Sequence, residues 1–144
     1  MSNVLARKRS LSELEFWKNG SEIRADFTRY LMSEKHIPKR WRTVFTFPGI
    51  GYAMKLMEEV TAANSIYPTT GAELDQRRYH QNEAVVACEQ IIQHIQFMIE
   101  TLDGVHVGDF ELLGEKLFKE IALVKAWRKS NKILAHKEKQ GAEP

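Results

Sequence analysis

The chain has a single cysteine, Cys88, so it can close no disulfide on itself, and 144 residues must hold together through a core. Cys88 stands among Val85, Ile91 and Ile92, where a free thiol behaves as a small hydrophobe, and this favours a reducing, cytoplasmic setting. No apolar run approaches the length of a membrane span. Near the N-terminus, Arg7, Lys8 and Arg9 precede Leu11, Leu14 and Phe16, but Ser and Glu are interleaved and make the stretch too polar for a secretory signal. Charge of one sign is also lacking. With 21 Lys and Arg against 19 Asp and Glu, the net charge is +2, so any attraction for an anionic partner depends on how the cations are arranged. β-branched residues nowhere alternate with polar ones as a half-buried strand requires, and no internal repeat or low-complexity segment appears.

Constellations for chemistry are equally scarce. The five histidines, His36, His80, His94, His106 and His136, include no His-x-x-x-His pair, and Glu89 and Glu100 do not form the Glu-x-x-His signature of di-iron bundles. Gly49-Ile50-Gly51 resembles part of a phosphate loop, yet no strand precedes it and no Gly-Lys-Ser/Thr follows, so helix-start punctuation explains it. Cys88 lies on an apolar seam rather than in an electropositive pocket. No metal, cofactor or enzymatic activity is expected. Of the histidines only His94 is placed for partial burial.

What is present is helical periodicity. Ser12 with Glu15 reads as a capping box opening a first helix over Ser12 to Ser33, with Phe16, Ile23, Phe27 and Tyr30 on one face. Pro38 and Pro48-Gly49 punctuate the next stretch. A second helix is expected from Gly49 to Asn64, its inner face formed by Ile50, Ala53, Met54, Met57 and Val60. Thr70 and Glu73 form another capping box, starting a third helix near Gly71 that runs to Leu102, before Asp103-Gly104. Val85, Cys88, Ile92, Ile95, Ile99 and Leu102 alternate three- and four-residue spacings as a seam, widened by Ile91 and Met98. Asp109 then caps a fourth helix carrying Phe110, Leu113, Leu117, Ile121 and Val124. The expected fold is all-α: an antiparallel four-helix bundle over residues 12–136, with a basic extension 1–11 before it and a polar tail 137–144 after it. The apolar stripe, together with Trp17, Trp41 and Trp127, exceeds what one small bundle can bury and predicts a homo-oligomer.

Basic residues gather in three groups. Lys125, Arg128, Lys129, Lys132 and His136 fall at helical spacings beside Trp127; Lys39, Arg40 and Arg42 flank Trp41; Arg77 and Arg78 precede Tyr79 and His80. Cations suit a phosphate backbone, and an aromatic beside them can stack on a base. A solvated helix end whose cations suit the C-terminal dipole is the plain alternative for the first group.

Taken together, several segments resemble the accessory variability determinant proteins of diversity-generating retroelements. They are Leu14-Glu15-Phe16-Trp17-Lys18-Asn19, the basic Pro-Lys-Arg connection, the stretch from Thr61 to Pro68, the long seam helix, and the closing Lys125-Ala126-Trp127-Arg128-Lys129-Ser130-Asn131. More distantly, they resemble the four-helix-bundle proteins of ribosomal intervening sequences. The resemblance implies a basic, ring-forming bundle, pentameric in that family, that binds the retroelement's reverse transcriptase and its template RNA or RNA/DNA, with catalysis left to the polymerase. Arg40, Trp41, Arg42, Arg77, Arg78, Lys125, Arg128, Lys129 and Lys132 are the residues expected to meet nucleic acid. The alternative is a structural or protein-interaction bundle with no nucleic-acid role.

Overall fold

The computed structural model describes residues 14–134. The expectations placed on Met1 to Ser12, on His136 and on the tail 137–144 lie outside the described residues. Within them all regular structure is helical: α1 (Glu15–Met32), a 3₁₀ turn (Lys39–Trp41), a π turn (Arg42–Thr46), α2 (Phe47–Ser65), α3 (Gly71–Thr101), a second 3₁₀ turn (Val107–Phe110) and α4 (Glu111–Lys129).

Each helix packs beside its chain neighbours, and α4 returns to lie against α1. Polar pairs fix the directions. Asn19 meets Glu120 and Lys116 meets Asp26 between α1 and α4, while Lys55 meets Glu83 and Glu59 meets His80 between α2 and α3. In both pairs one residue number rises as the other falls, so the fold is an antiparallel up-and-down bundle. Its core takes Ile23, Phe27 and Leu31 from α1, Ala53, Leu56, Met57 and Val60 from α2, Ala84, Cys88, Ile91 and Met98 from α3, and Leu113, Leu117 and Val124 from α4.

The α3 start follows from local chemistry. The Thr70 hydroxyl accepts the Glu73 N–H, and the Glu73 carboxylate accepts the N–H groups of Thr69 and Thr70 at 2.9 and 3.2 Å, so the box read from the sequence is formed. The Thr69 hydroxyl, which donates to the same carboxylate at 2.8 Å, and then these N–H groups hold the Glu73 carboxyl below its ordinary range.

Several local expectations need correction. Helix α2 begins at Phe47, with Pro48 in its first turn where a missing N–H costs nothing, so Pro-Gly does not delay the helix. Met54 points outward at 48% exposure, and Leu56 takes the inner position. On α3, Ile91 and Met98 lie on the buried axis while Ile92 and Ile99 are only half-buried, because the helix sits in the angle between α2 and α4. Asp109 caps the 3₁₀ turn and not α4: its carboxylate accepts the His106 N–H at 3.1 Å and the Tyr30 hydroxyl at 2.8 Å. Trp17, Trp41 and Trp127 are half-buried against the core, and the exposed aromatics are instead Phe47, Tyr67, Tyr79, Phe97 and Phe118. Among the described residues no helix is long and apolar enough to cross a membrane.

Candidate nucleic-acid interface

The fold sorts the basic residues into two sets at opposite ends of the bundle. Arg40, Trp41 and Arg42 lie in the α1–α2 connection, where Arg40 and Trp41 share a pocket of ≈ 180 Å³ with Lys35, His36 and residues 101–104 at the end of α3. Arg40 is exposed, Arg42 is half-buried, and the Trp41 ring rests 5.8 Å from that of Phe45. Gly104 allows the close approach: a Cβ there would fall 2.8 Å from the Lys35 carbonyl oxygen.

At the other end are Arg77, Arg78, Lys125, Arg128, Lys129 and Lys132. At 1.5 Å per residue, Arg77 stands about 36 Å along α3 from Thr101, so the two sets cannot contact the same phosphates. With 31 residues, α3 is longer than its 18- and 19-residue partners, and residues 71–80 bury no side chain fully. This lightly buried first stretch of α3 carries Arg77 and Arg78.

The second set is built around Trp127. Its ring stacks on Phe16 with centroids 4.1 Å apart, and the Arg77 guanidinium carbon stands 5.3 Å from its centroid. Trp127 is therefore an anchor tying α1, α3 and α4 together rather than a free platform for a base. Burial lowers the Arg77 pKa from its ordinary value, and its Nε is buried without a hydrogen-bond partner among the described residues. Arg128 donates to the Asn82 side-chain oxygen at 2.6 Å, and Gln81 and Asn131 exchange two hydrogen bonds of 3.2 and 2.6 Å. Arg78 reaches Asp75 at 3.6 Å, a single exposed pair across one turn. Lys125, Lys129 and Lys132 are exposed and have no carboxylate partner among the described residues.

Two polar groups are buried in the core: Glu120, which is not expected there from the sequence, and His94, which is expected to be partly buried. Glu120 is fully buried; Asn19 Nδ2 donates to its Oε1 at 3.0 Å, its Oε2 has no partner among the described residues, and burial pushes its pKa up to about 7. Gly20 makes room for it, since a Cβ there would sit 2.9 Å from Glu120 Oε2. The second group, His94, donates from Nε2 to the Phe45 carbonyl at 2.7 Å, and burial lowers its pKa. Both positions carried a signal. Glu120 stands three residues after Leu117 and four before Val124, on the apolar stripe itself, and His94 lies between Ile91 and Met98.

No group of three or more His, Cys, Asp or Glu side chains among the described residues is arranged to hold a metal ion. Compared with protein-family models, with curated proteins and with solved structures, the chain has no match.

Proposed function

We propose that the protein is a non-catalytic accessory bundle that binds structured RNA through the end where α3 starts and α4 finishes. Following the resemblance of the sequence, that RNA is the template of a diversity-generating retroelement, held together with its reverse transcriptase during mutagenic copying. Self-assembly into a ring, pentameric as in that family, belongs to the same reading.

The observation that carries it is the unneutralised charge of Lys125, Lys129 and Lys132 beside an Arg77 held on Trp127. Lys125 and Lys129 on α4, with Lys132 beyond the helix end rather than on the stripe expected from the spacing, can reach phosphates and displace condensed counterions, but lysines cannot read the deep major groove of an RNA duplex. Affinity then depends strongly on salt and weakly on sequence, leaving selectivity to RNA shape and to the polymerase.

Anisotropy titrations of structured RNA at several salt concentrations test this. Changing Lys125, Arg128, Lys129 and Lys132 to Glu lowers affinity for unrelated sequences alike and reduces the log–log salt slope by about 0.9 per lost contact. Equal affinities for both proteins at every salt would remove this end from the site. A second reading, a protein-interaction bundle without nucleic acid, draws on the exposed apolar side chains of Val44, Phe47, Met54 and Phe97. An oligomer by sedimentation with no RNA affinity at low salt favours it.

A further inference from the structure

We propose that the groove between α2 and α3 binds one unpaired, amino-bearing nucleobase, adenine or cytosine. The groove has a volume of ≈ 340 Å³ and is lined by Tyr52 from α2 and by Glu89, Gln90, Gln93, His94 and Phe97 from α3. It lies near the lower end of the range for small-ligand sites, about 300–1,000 Å³.

His94 gives the groove its polarity. A carbonyl can only accept, so the bond to Phe45 places a proton on Nε2, and burial keeps the imidazole neutral; Nδ1 is then an acceptor. The ring is nine-tenths buried, yet Nδ1 has no partner among the described residues and is not one of the enclosed, unpartnered atoms. It opens to the groove that His94 lines. Its position is fixed from behind. The π turn brings Phe45 and Thr46 inward, the Thr46 hydroxyl donates to the Leu31 carbonyl at 2.9 Å, and Gly49 leaves space where a Cβ would fall 3.0 Å from His94 Cδ2.

The surrounding groups narrow the ligand. Phe97, 44% exposed and packed against Phe45 at 4.7 Å, and Tyr52, edge-on to His94 at 5.5 Å, supply aromatic walls on which a flat heterocycle can lie. Gln90 accepts from Lys55 through Oε1 at 3.3 Å, which turns its amide N–H groups toward other partners. Glu89 is exposed and has no cationic partner among the described residues. The groups whose roles are set are thus two acceptors, His94 Nδ1 and the Glu89 carboxylate, and a donor, the Gln90 amide, while the exposed Gln93 amide can turn either its oxygen or its N–H groups inward. An exocyclic amine beside an unprotonated ring nitrogen on the pairing edge complements that set, as in adenine and cytosine, whereas guanine sets its amine beside a ring N–H and uracil presents a ring N–H between two carbonyls. The Glu89 charge keeps phosphate outside the groove. The source of the base, an RNA strand, rests on the function proposed above, but the groove's own affinity does not.

Free nucleosides, which carry no phosphate, separate the two. Titrating the full chain with adenosine, cytidine and uridine, followed by NMR of Tyr52, His94 and Phe97, gives saturable shifts with the amino-bearing nucleosides favoured about tenfold. Glu89→Ala, an exposed substitution that leaves the core intact, removes most of that preference. The protein with Lys125, Arg128, Lys129 and Lys132 changed to Glu binds nucleosides like the wild type even where it has lost RNA. No saturable shift up to the solubility of the nucleosides overturns the proposal, and so does equal binding of all three. The same residues shifting with protein concentration alone would make the groove a contact between copies and overturn it as well. RNA affinity that is absent while nucleosides bind would sink the function proposed above and leave the groove standing.

Discussion

Glu120 and His94 are both titratable side chains inside one helical core, and their surroundings treat them differently. His94 has its one N–H taken by the Phe45 carbonyl and its other nitrogen open to a groove, so burial leaves no polar atom of the ring enclosed and unpaired. Glu120 has one oxygen on Asn19 and the other enclosed without a partner among the described residues, and its charge acts on the nearby Cys88 thiol. A polar group costs little in a core when its partners are built in and of order 1–3 kcal/mol when one is missing. By that measure the α2–α3 half of the bundle is settled at pH 7, and the α1–α4 half is not.

The largest expected effect is on stability against pH. Glu120 has its folded pKa raised to about 7 from 4.5, so between those values the folded state holds a proton that the unfolded chain has released. Its contribution is present in full below about pH 4.5, is lost as pH rises through 7, and amounts to about 3 kcal/mol in all. Glu120→Gln removes the titration. Urea midpoints for the two proteins should nearly coincide at pH 5 and separate at pH 8, with the variant more stable; parallel curves from pH 5 to 8 would show that the carboxylate finds compensation on ionising. His94 has the opposite sign. Its folded pKa is lowered, so its contribution is present above the unfolded value of 6.5 and is lost as pH falls below it, when the unfolded chain takes up a proton the folded one refuses.

His94→Phe sharpens the contrast from the other side. A flat ring is kept, slightly larger than imidazole, but the Phe45 carbonyl loses the His94 N–H, at a cost of about 1–3 kcal/mol, and the acid-side dependence should fade with it. Denaturant curves at pH 5 and 8 check both. Cys88→Ala is the smallest change. The thiol is fully buried, and burial, with Glu120 and Glu89 nearby, pushes its pKa up, so the substitution costs about 1 kcal/mol through lost packing and a small void. In the native protein Cys88 should react slowly with thiol reagents, and fast reaction would mean that the packing of α3 in the core opens readily.

Much of the architecture was legible because it is local. The Thr70–Glu73 box spans four residues and involves only its own backbone, so α3 starts where the pattern says. The stripe Leu113, Leu117, Val124 identified the inner face of α4 for the same reason. What misled was the treatment of polar residues as outward by default, since Asn19, Gln81 and Glu120 all sit on apolar stripes and are buried with them, whereas His94 is placed for partial burial by the sequence. The candidate interface was legible as residue types but not as an arrangement. Arg40 and Arg42 separate from Arg77 and Lys125 only once the helices alternate in direction, and Trp127 reads as a stacking platform until Phe16 and Arg77 are found against it.

By itself the sequence determined four amphipathic segments, their approximate ends and an all-helical class, because periodicity and capping act over a few residues. Only the tertiary structure decided which stripe edge of α3 faces the core, whether a buried acid finds a partner, and which cations stay unpaired. Those outcomes depend on which helices stand beside one another. The energy of a buried polar atom is set by the group across the interface, and that group is about a hundred residues away for the Asn19–Glu120 pair and 49 for Phe45 and His94.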